Sequence, residues 1–200
     1  MTKVLSLFDG IGCGRAAFER AGISVDAYYA YEIDPYAIKI ATHNFPDIIE
    51  RGDVQTADFT MYENIDWLIG GSPCTTFSVC QKQKRERAAW SGVGWDLFMN
   101  YVRAIREAKP KLFLYENNAS MSREVRDEMR RQFGFEEVRI NSSLVSGQYR
   151  DRFYWVGKRN MDGSYSRVDI PLPQDKGILM RDVIGAHGGG SFMRFVKLRT

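Results

Sequence analysis

Three groups of residues in this chain are of a kind that does covalent chemistry. Cys74 stands in "IGGSPCTTFS", Glu116 opens "ENN", and Arg150 and Arg152 belong to "QYRDR". The apolar run "DWLIG" leads into the first of these. That places the thiol on a turn at the carboxyl end of a strand, the edge where open α/β sheets keep their chemistry. A buried, inert thiol is the commoner fate of a cysteine. The Gly-Gly-Ser-Pro setting argues against burial, but it does not say what the thiol would attack. Glu116 follows the buried-type strand "KLFLYEN". Taken singly, a glutamate and an arginine form a structural ion pair; their order behind the cysteine is what gives them meaning.

The chain must supply elements to position these groups. Its 200 residues suffice for a sizeable core, and 44% hydrophobic with 13% aromatic residues is ordinary globular composition. No apolar run is long enough to span a membrane, and "MTKVLSLFDG" has no signal-peptide pattern. Cys13, Cys74 and Cys80 are odd in number and lack metal-site spacing. A reducing compartment, cytoplasmic or nuclear, is therefore expected rather than secretion. With only His43 and His187 present, metal chemistry has little to work with, and no metal is expected. Residues 1–80 carry 5 basic against 11 acidic side chains, a balance of −6, whereas the remaining 23 basic and 14 acidic give +9. That asymmetry fits either an anionic partner for one face or plain solvated charge.

Strand and helix signals alternate along the first half. "KVLSLF", "VDAYYAYEID", a short third strand before "RGDV", "DWLIGG" and "KLFLYEN" read as strands. "GIGCGRAAFERAG", "PYAIKIATHNF", "WDLFMNYVRAIREAK" and "REVRDEMRRQF" read as helices, the second opened by Pro35. In the third of these, Leu97, Tyr101, Ile105 and Ala108 share one face. "FEEVRINSS" and "DRFYWVGK" are expected to close the sheet. The pattern predicts an α/β fold with a doubly wound, mostly parallel sheet. From about Asn160 the texture turns loop-rich, so residues 1–159 are expected to form one domain and residues 160–200 part of a smaller recognition lobe.

The first turn, "FDGIGCG", follows a strand and opens a helix. Gly10, Gly12 and Gly14 let the backbone approach a ligand facing the helix amino end. Glu32, at the end of the second strand, suits ribose hydroxyls or, equally, the cap of the helix at Pro35. Asp53 could accept from an adenine amino group. The spacing is not that of a dinucleotide fingerprint, and Asp9 would set a negative charge near a pyrophosphate. A cationic sulfonium cofactor fits better.

Taken in order, "FDGIG", Pro73-Cys74, Glu116-Asn117 and "QYRDR" resemble the DNA (cytosine-5) methyltransferases over roughly residues 3–158. "VLSLFDGIG", "IGGSPC" and "RFYW" look especially like the animal de novo branch. The resemblance implies a Rossmann-like domain that uses S-adenosyl-L-methionine and double-stranded DNA. It further implies a cofactor pocket lined by Phe8, Asp9, Gly10, Gly12, Glu32, Ile33, Asp53 and Pro73, with Asn117 fixing the Pro-Cys turn. The residue types suit that reaction. Cytosine C5 becomes nucleophilic only after something adds at C6, and a thiolate at Cys74 is apt. Glu116 would protonate N3, Arg152 would stabilise charge near O2, and Arg150 would hold Glu116 in place. The base must first leave the duplex. Lys82, Lys84, Arg85 and Arg87 would then grip phosphates, with Gln148 also facing DNA. Trp90 would fill the gap behind the base, and Gly92 and Gly94 would hinge the loop as a lid.

Two departures qualify the resemblance. Asn118 replaces the usual valine, and "FMRFVKLRT" resembles only the entry to a recognition segment. A partner polypeptide supplying the rest, or a longer parent chain, is therefore expected. The rival readings are a catalytically silent DNA-binding subunit and a nucleotide-dependent oxidoreductase. The biological role, whether restriction companion, phage protection or epigenetic marking, stays open.

Overall fold

The computed structural model describes residues 1–73 and 92–184. Five strands run parallel: β1 (Lys3–Leu7), β2 (Ala27–Tyr31), β3 (Ile48–Glu50), β4 (Trp67–Gly70) and β5 (Leu112–Asn118). Two more, β6 (Val138–Asn141) and β7 (Asp151–Arg159), complete the order β3-β2-β1-β4-β5-β7-β6. β7 is antiparallel to both β5 and β6. The mostly parallel, Rossmann-like sheet expected from the sequence is thus present, with one reversed strand beside β5. A last short strand, β8 (Tyr165–Arg167), pairs with β7. The sheet therefore continues past residue 160, where the sequence suggested a separate lobe would begin.

Strand periodicity of two sends alternate side chains to opposite faces. On β1, Val4 joins Phe18, Tyr28, Ala30, Ala41 and Ile48 under helices α1 (Cys13–Arg20) and α2 (Pro35–Asn44). Leu5 and Leu7 join the larger, aromatic-rich core on the other face. There α3 (Val93–Ala108) contributes Phe98, Tyr101 and Ile105, and α4 (Arg123–Phe133) contributes Val125, Met129 and Phe133. Burying each such side chain contributes about 1.5–3 kcal/mol, so this face carries most of the apolar stabilisation.

Helix ends follow local chemistry. Asp34 caps α2 by accepting from the Tyr36 amide, with Pro35 at the first helical position. Ser122 caps α4, which stops at Gly134 in the left-handed conformation with its N–H donating to the Arg130 carbonyl. A short final helix, α5 (Met180–Ile184), ends the described chain. Among the described residues, no helix is long and apolar enough to cross a membrane.

Candidate active site

Because β1 to β4 are parallel neighbours, the segments leaving their carboxyl ends collect along one edge. Phe8, Gly10 and Gly12 follow β1, Glu32 and Ile33 follow β2, Asp53 follows β3 and Pro73 follows β4. The glycine turn is sharply bent, with Phe8, Gly10 and Gly12 at φ of 59°, 63° and 81°. A half-buried phenylalanine in that region costs roughly 1–3 kcal/mol, a strain typical of ligand-binding turns. A Cβ built on Gly10 would meet nothing within 4 Å, so this point of the turn faces open space. Gly14 is required for a different reason. A Cβ there would lie 2.5 Å from Ile69 Cδ1 and 2.6 Å from the Tyr28 hydroxyl, so it serves helix-to-sheet packing.

Glu32 ties the turn down. Its carboxylate accepts from the amides of Gly10 at 2.9 Å, Ile33 at 2.8 Å and Asp34 at 2.9 Å. It does not cap α2; Asp34 does. Ile33 is exposed, and the half-buried Asp53 accepts from the Gln55 amide at 2.9 Å.

Asp9 requires a correction. Its side chain, expected beside the cofactor, turns under the glycine loop and is only 7% exposed. Oδ1 accepts from Ser6 Oγ at 2.5 Å and from the Tyr28 hydroxyl at 2.6 Å, while Oδ2 accepts no hydrogen bond. Burial, only partly offset by these two donors, pushes its pKa up. Close by is Glu50, which the sequence reading missed. Among the described residues neither of its carboxyl oxygens has a hydrogen-bond partner, and burial together with Asp9 and Glu32 pushes its pKa to about 7. The only sequence signal was an acid ending an otherwise apolar strand.

At the other end of this edge, Glu116 lies on β5 opposite Tyr154 of β7, and Arg152 lies opposite Asn118. Arg152 Nε sits 2.6 Å from Glu116 Oε1, whereas Arg150 Nη2 is 3.9 Å away. Arg152 is thus the arginine in close contact with Glu116, where the sequence suggested Arg150. The strand register explains this, because it brings residue 152 directly across from β5 and leaves residue 150 beyond the ladder, half exposed. The Arg152 contact is an ion pair without hydrogen-bond alignment, and among the described residues the buried Oε1 finds no hydrogen-bond donor.

The chain leaving β4 packs onto the same carboxylate. A Cβ on Gly71 would fall 2.6 Å from the Glu116 carbonyl oxygen and 2.9 Å from its Oε2, so only glycine fits. Asn117, 2% exposed, donates through Nδ2 to the Ser72 carbonyl at 3.3 Å and to the Tyr115 hydroxyl at 2.9 Å. Asn118 is accommodated by the turn after β5, where its Oδ1 accepts from the Ser120 amide at 3.0 Å. Gln148 is exposed and shares a cleft of about 390 Å³ with Asn118, Arg139, Arg150 and Arg152. Cys74, Lys82, Lys84, Arg85, Arg87 and Trp90 lie outside the described residues. Of the two expected hinges, Gly92 precedes α3 and Gly94 is buried inside its first turn, where it is helix rather than hinge.

Known proteins resemble this chain over most of its length. The orphan methyltransferase M.SPRI of Bacillus phage SPR is 32% identical over 169 residues, 78% of this chain and 38% of that protein. The type II methyltransferase M1.ScrFI of Lactococcus lactis is 30% identical over 86% of this chain and 45% of its own length. A solved DNA modification methyltransferase encoded within an E. coli prophage superposes with a TM-score of 0.61 at 25% identity, covering 79% of this chain and 47% of that one. The chain thus spans under half the length of each of these relatives. The model of the C-5 cytosine-specific DNA methylases matches residues 2–186, and the chain belongs to that family.

Proposed function

We propose that this chain carries the catalytic centre of a DNA (cytosine-5) methyltransferase acting on double-stranded DNA. The observation that carries the reading is Glu116. Its Oε1 is buried with no hydrogen-bond donor among the described residues, sits beside the Arg152 cation, and belongs to a carboxylate packed against Gly71, three residues before Cys74.

In this reading S-adenosyl-L-methionine, when bound, supplies the methyl group. Glu32, Phe8 and the open face of Gly10 are its holders, with Ile33, Asp53 and Pro73 along the same edge; Asp9 supports the turn from beneath. The cytosine is extruded from the duplex. The Cys74 thiolate forms a bond to C6 while Glu116 delivers a proton to N3, so that C5 gains nucleophilic character. Arg152 offsets charge developing on the pyrimidine and keeps the Glu116 carboxyl in place. Once C5 carries the methyl group, solvent takes the C5 proton, the Cys74–C6 bond breaks to return the thiolate, and N3 gives its proton back to Glu116. Lys82, Lys84, Arg85, Arg87 and Gln148 are assigned to DNA.

DNA carrying 5-fluorocytosine tests this, because fluorine cannot leave as a proton does. With S-adenosyl-L-methionine present, the chain should form an adduct stable to denaturing gels, and Cys74→Ser should abolish it. Trapping at Cys13 or Cys80 instead would overturn the assignment.

A further inference from the structure

We propose that Tyr115 is a positioning residue for the reaction, acting through Ser72 on the segment that precedes Cys74 in the chain. The inference rests on the methyltransferase reading above and adds a residue to it.

Tyr115 belongs to the aromatic core by every measure except one atom. Its ring lies 4.8 Å from Tyr101, 5.4 Å from Phe98, 5.5 Å from Phe133 and 5.9 Å from Trp155, centroid to centroid. Phenylalanine would fill that space and bring no polar group to be desolvated. Yet the tyrosine is wholly buried, and its hydroxyl lies 2.6 Å from Ser72 Oγ, itself 4% exposed. Burial raises the tyrosine pKa, so the hydroxyl stays protonated and able to donate.

The proton assignments follow from the partners. Asn117 Oδ1 is taken by the Asn118 amide at 2.8 Å, and Nδ2 gives its two protons to the Ser72 carbonyl and the Tyr115 oxygen. The Tyr115 oxygen therefore accepts from Asn117, and the hydroxyls of Tyr115 and Ser72 share one hydrogen bond. Ser72 is gripped at two points, through its hydroxyl by Tyr115 and through its carbonyl by Asn117. That carbonyl belongs to the Ser72–Pro73 peptide, whose plane sets the path of the chain into residue 74. On the preceding side, Gly71 is pressed against Glu116. The hydroxyl of Tyr115 thus closes a network joining β5, which carries the acid, to the segment that precedes Cys74 in the chain. Without it one Nδ2 proton of Asn117 has no partner, the amide is free to reorient, and Ser72 loses a fixed side chain.

Tyr115→Phe removes the hydroxyl and keeps the ring; Ser72→Ala removes the same bond from its other end without touching the aromatic core. Each should slow covalent capture of 5-fluorocytosine DNA by about ten- to a hundred-fold, since small misplacements of reacting groups cost that much. Affinity for DNA and for S-adenosylhomocysteine should change less than about two-fold, and the double variant should lose no more than either single one. Capture at the wild-type rate by Tyr115→Phe, with wild type itself forming the adduct, would overturn this inference alone. Losses that multiply in the double variant, or that track lowered affinity, would overturn it too, because a general packing defect behaves that way. Absence of the adduct in the wild-type chain would instead overturn the underlying reading.

Discussion

Glu32 and Glu116 stand near the carboxyl ends of β2 and β5 in one sheet, and the protein holds them by opposite means. Glu32 is bonded to three backbone amides, those of Gly10, Ile33 and Asp34. Glu116 is held by a side-chain cation, Arg152, and keeps a buried oxygen that finds no hydrogen-bond donor among the described residues. Main-chain donors fix a carboxylate as part of the fold, which suits a group that binds. A carboxylate left partly unsatisfied beside one cation keeps capacity for a new partner, which suits a group that exchanges a proton. The same residue type is thus held in two different ways by what surrounds it.

The comparison breaks most readily at Glu116. Glu116→Gln keeps the shape but removes the carboxyl group. Single-turnover methyl transfer should fall by about 10²–10⁴, the range for a lost general acid, with little change in melting temperature. Near wild-type turnover would mean that the orphaned oxygen is not the proton donor.

Glu32 should fail differently. Glu32→Ala deprives three amides of their acceptor and removes the candidate ribose contact, so affinity for S-adenosylhomocysteine should weaken by about 1.5–3 kcal/mol for a hydrogen bond to a charged group. Glu32→Gln, which keeps one acceptor oxygen, should lose less. Calorimetry returning equal affinities for wild type and Glu32→Ala would remove Glu32 from the pocket.

How much of this contrast was legible beforehand differs between the two ends. The glycine turn and Glu32 depend on local sequence, since a strand, a run of glycines and an acid at the next strand end are all read within thirty or so residues. The alternation in "KLFLYENN" likewise predicts which side chains share a face. Direction is another matter. Nothing in "DRFYWVGK" marks it as antiparallel to β5, because alternation encodes faces and not polarity. Arg152 lies within β7 and Arg150 just ahead of its first residue, so which of them meets Glu116 is decided by a register that only the paired strands supply. Asp9 was misplaced for a related reason: the left-handed Phe8 before it turns the chain, and the next side chain goes under the loop. Gly94 read as a hinge because a glycine inside a helix has no local signature separating it from a loop glycine. Tyr115 and Ser72 were invisible as a pair, being 43 residues apart and ordinary in type.

Glu50 sharpens the contrast from the Glu32 side, as an acid near Glu32 that has no amide donors among the described residues. Its pKa rises from 4.5 to about 7 through burial and the neighbouring Asp9 and Glu32. The folded state therefore favours the protonated form. The associated stability is present in full below about pH 4.5 and is lost as pH rises through 7. Glu50→Gln, neutral throughout, should be close to neutral in effect at pH 5. At pH 8 it should stabilise by about 1–2 kcal/mol, allowing for partial exposure of the residue. A difference in unfolding free energy that stays flat between these pH values would show that Glu50 is not buried as an acid.

The smallest effect belongs to Arg150, and it tests which arginine supports Glu116. Its guanidinium is 3.9 Å from Glu116 and half exposed, against 2.6 Å and 15% exposed for Arg152. An exposed pair at that separation contributes about 0–1 kcal/mol and is screened by salt. Removing Arg152 instead leaves a partly buried carboxylate with neither a close cation nor, among the described residues, a hydrogen-bond donor to Oε1, which costs more. Arg150→Ala should therefore leave the melting temperature unchanged at 0.5 M salt, and Arg152→Ala should lower it at any salt concentration. Their double variants with Glu116→Gln separate the pairs further. Coupling to Glu116 should be clear for Arg152 and within error for Arg150. If Arg150 proved the more strongly coupled, the original sequence expectation would stand, and the pairing seen across β5 and β7 would not be the one that supports the acid.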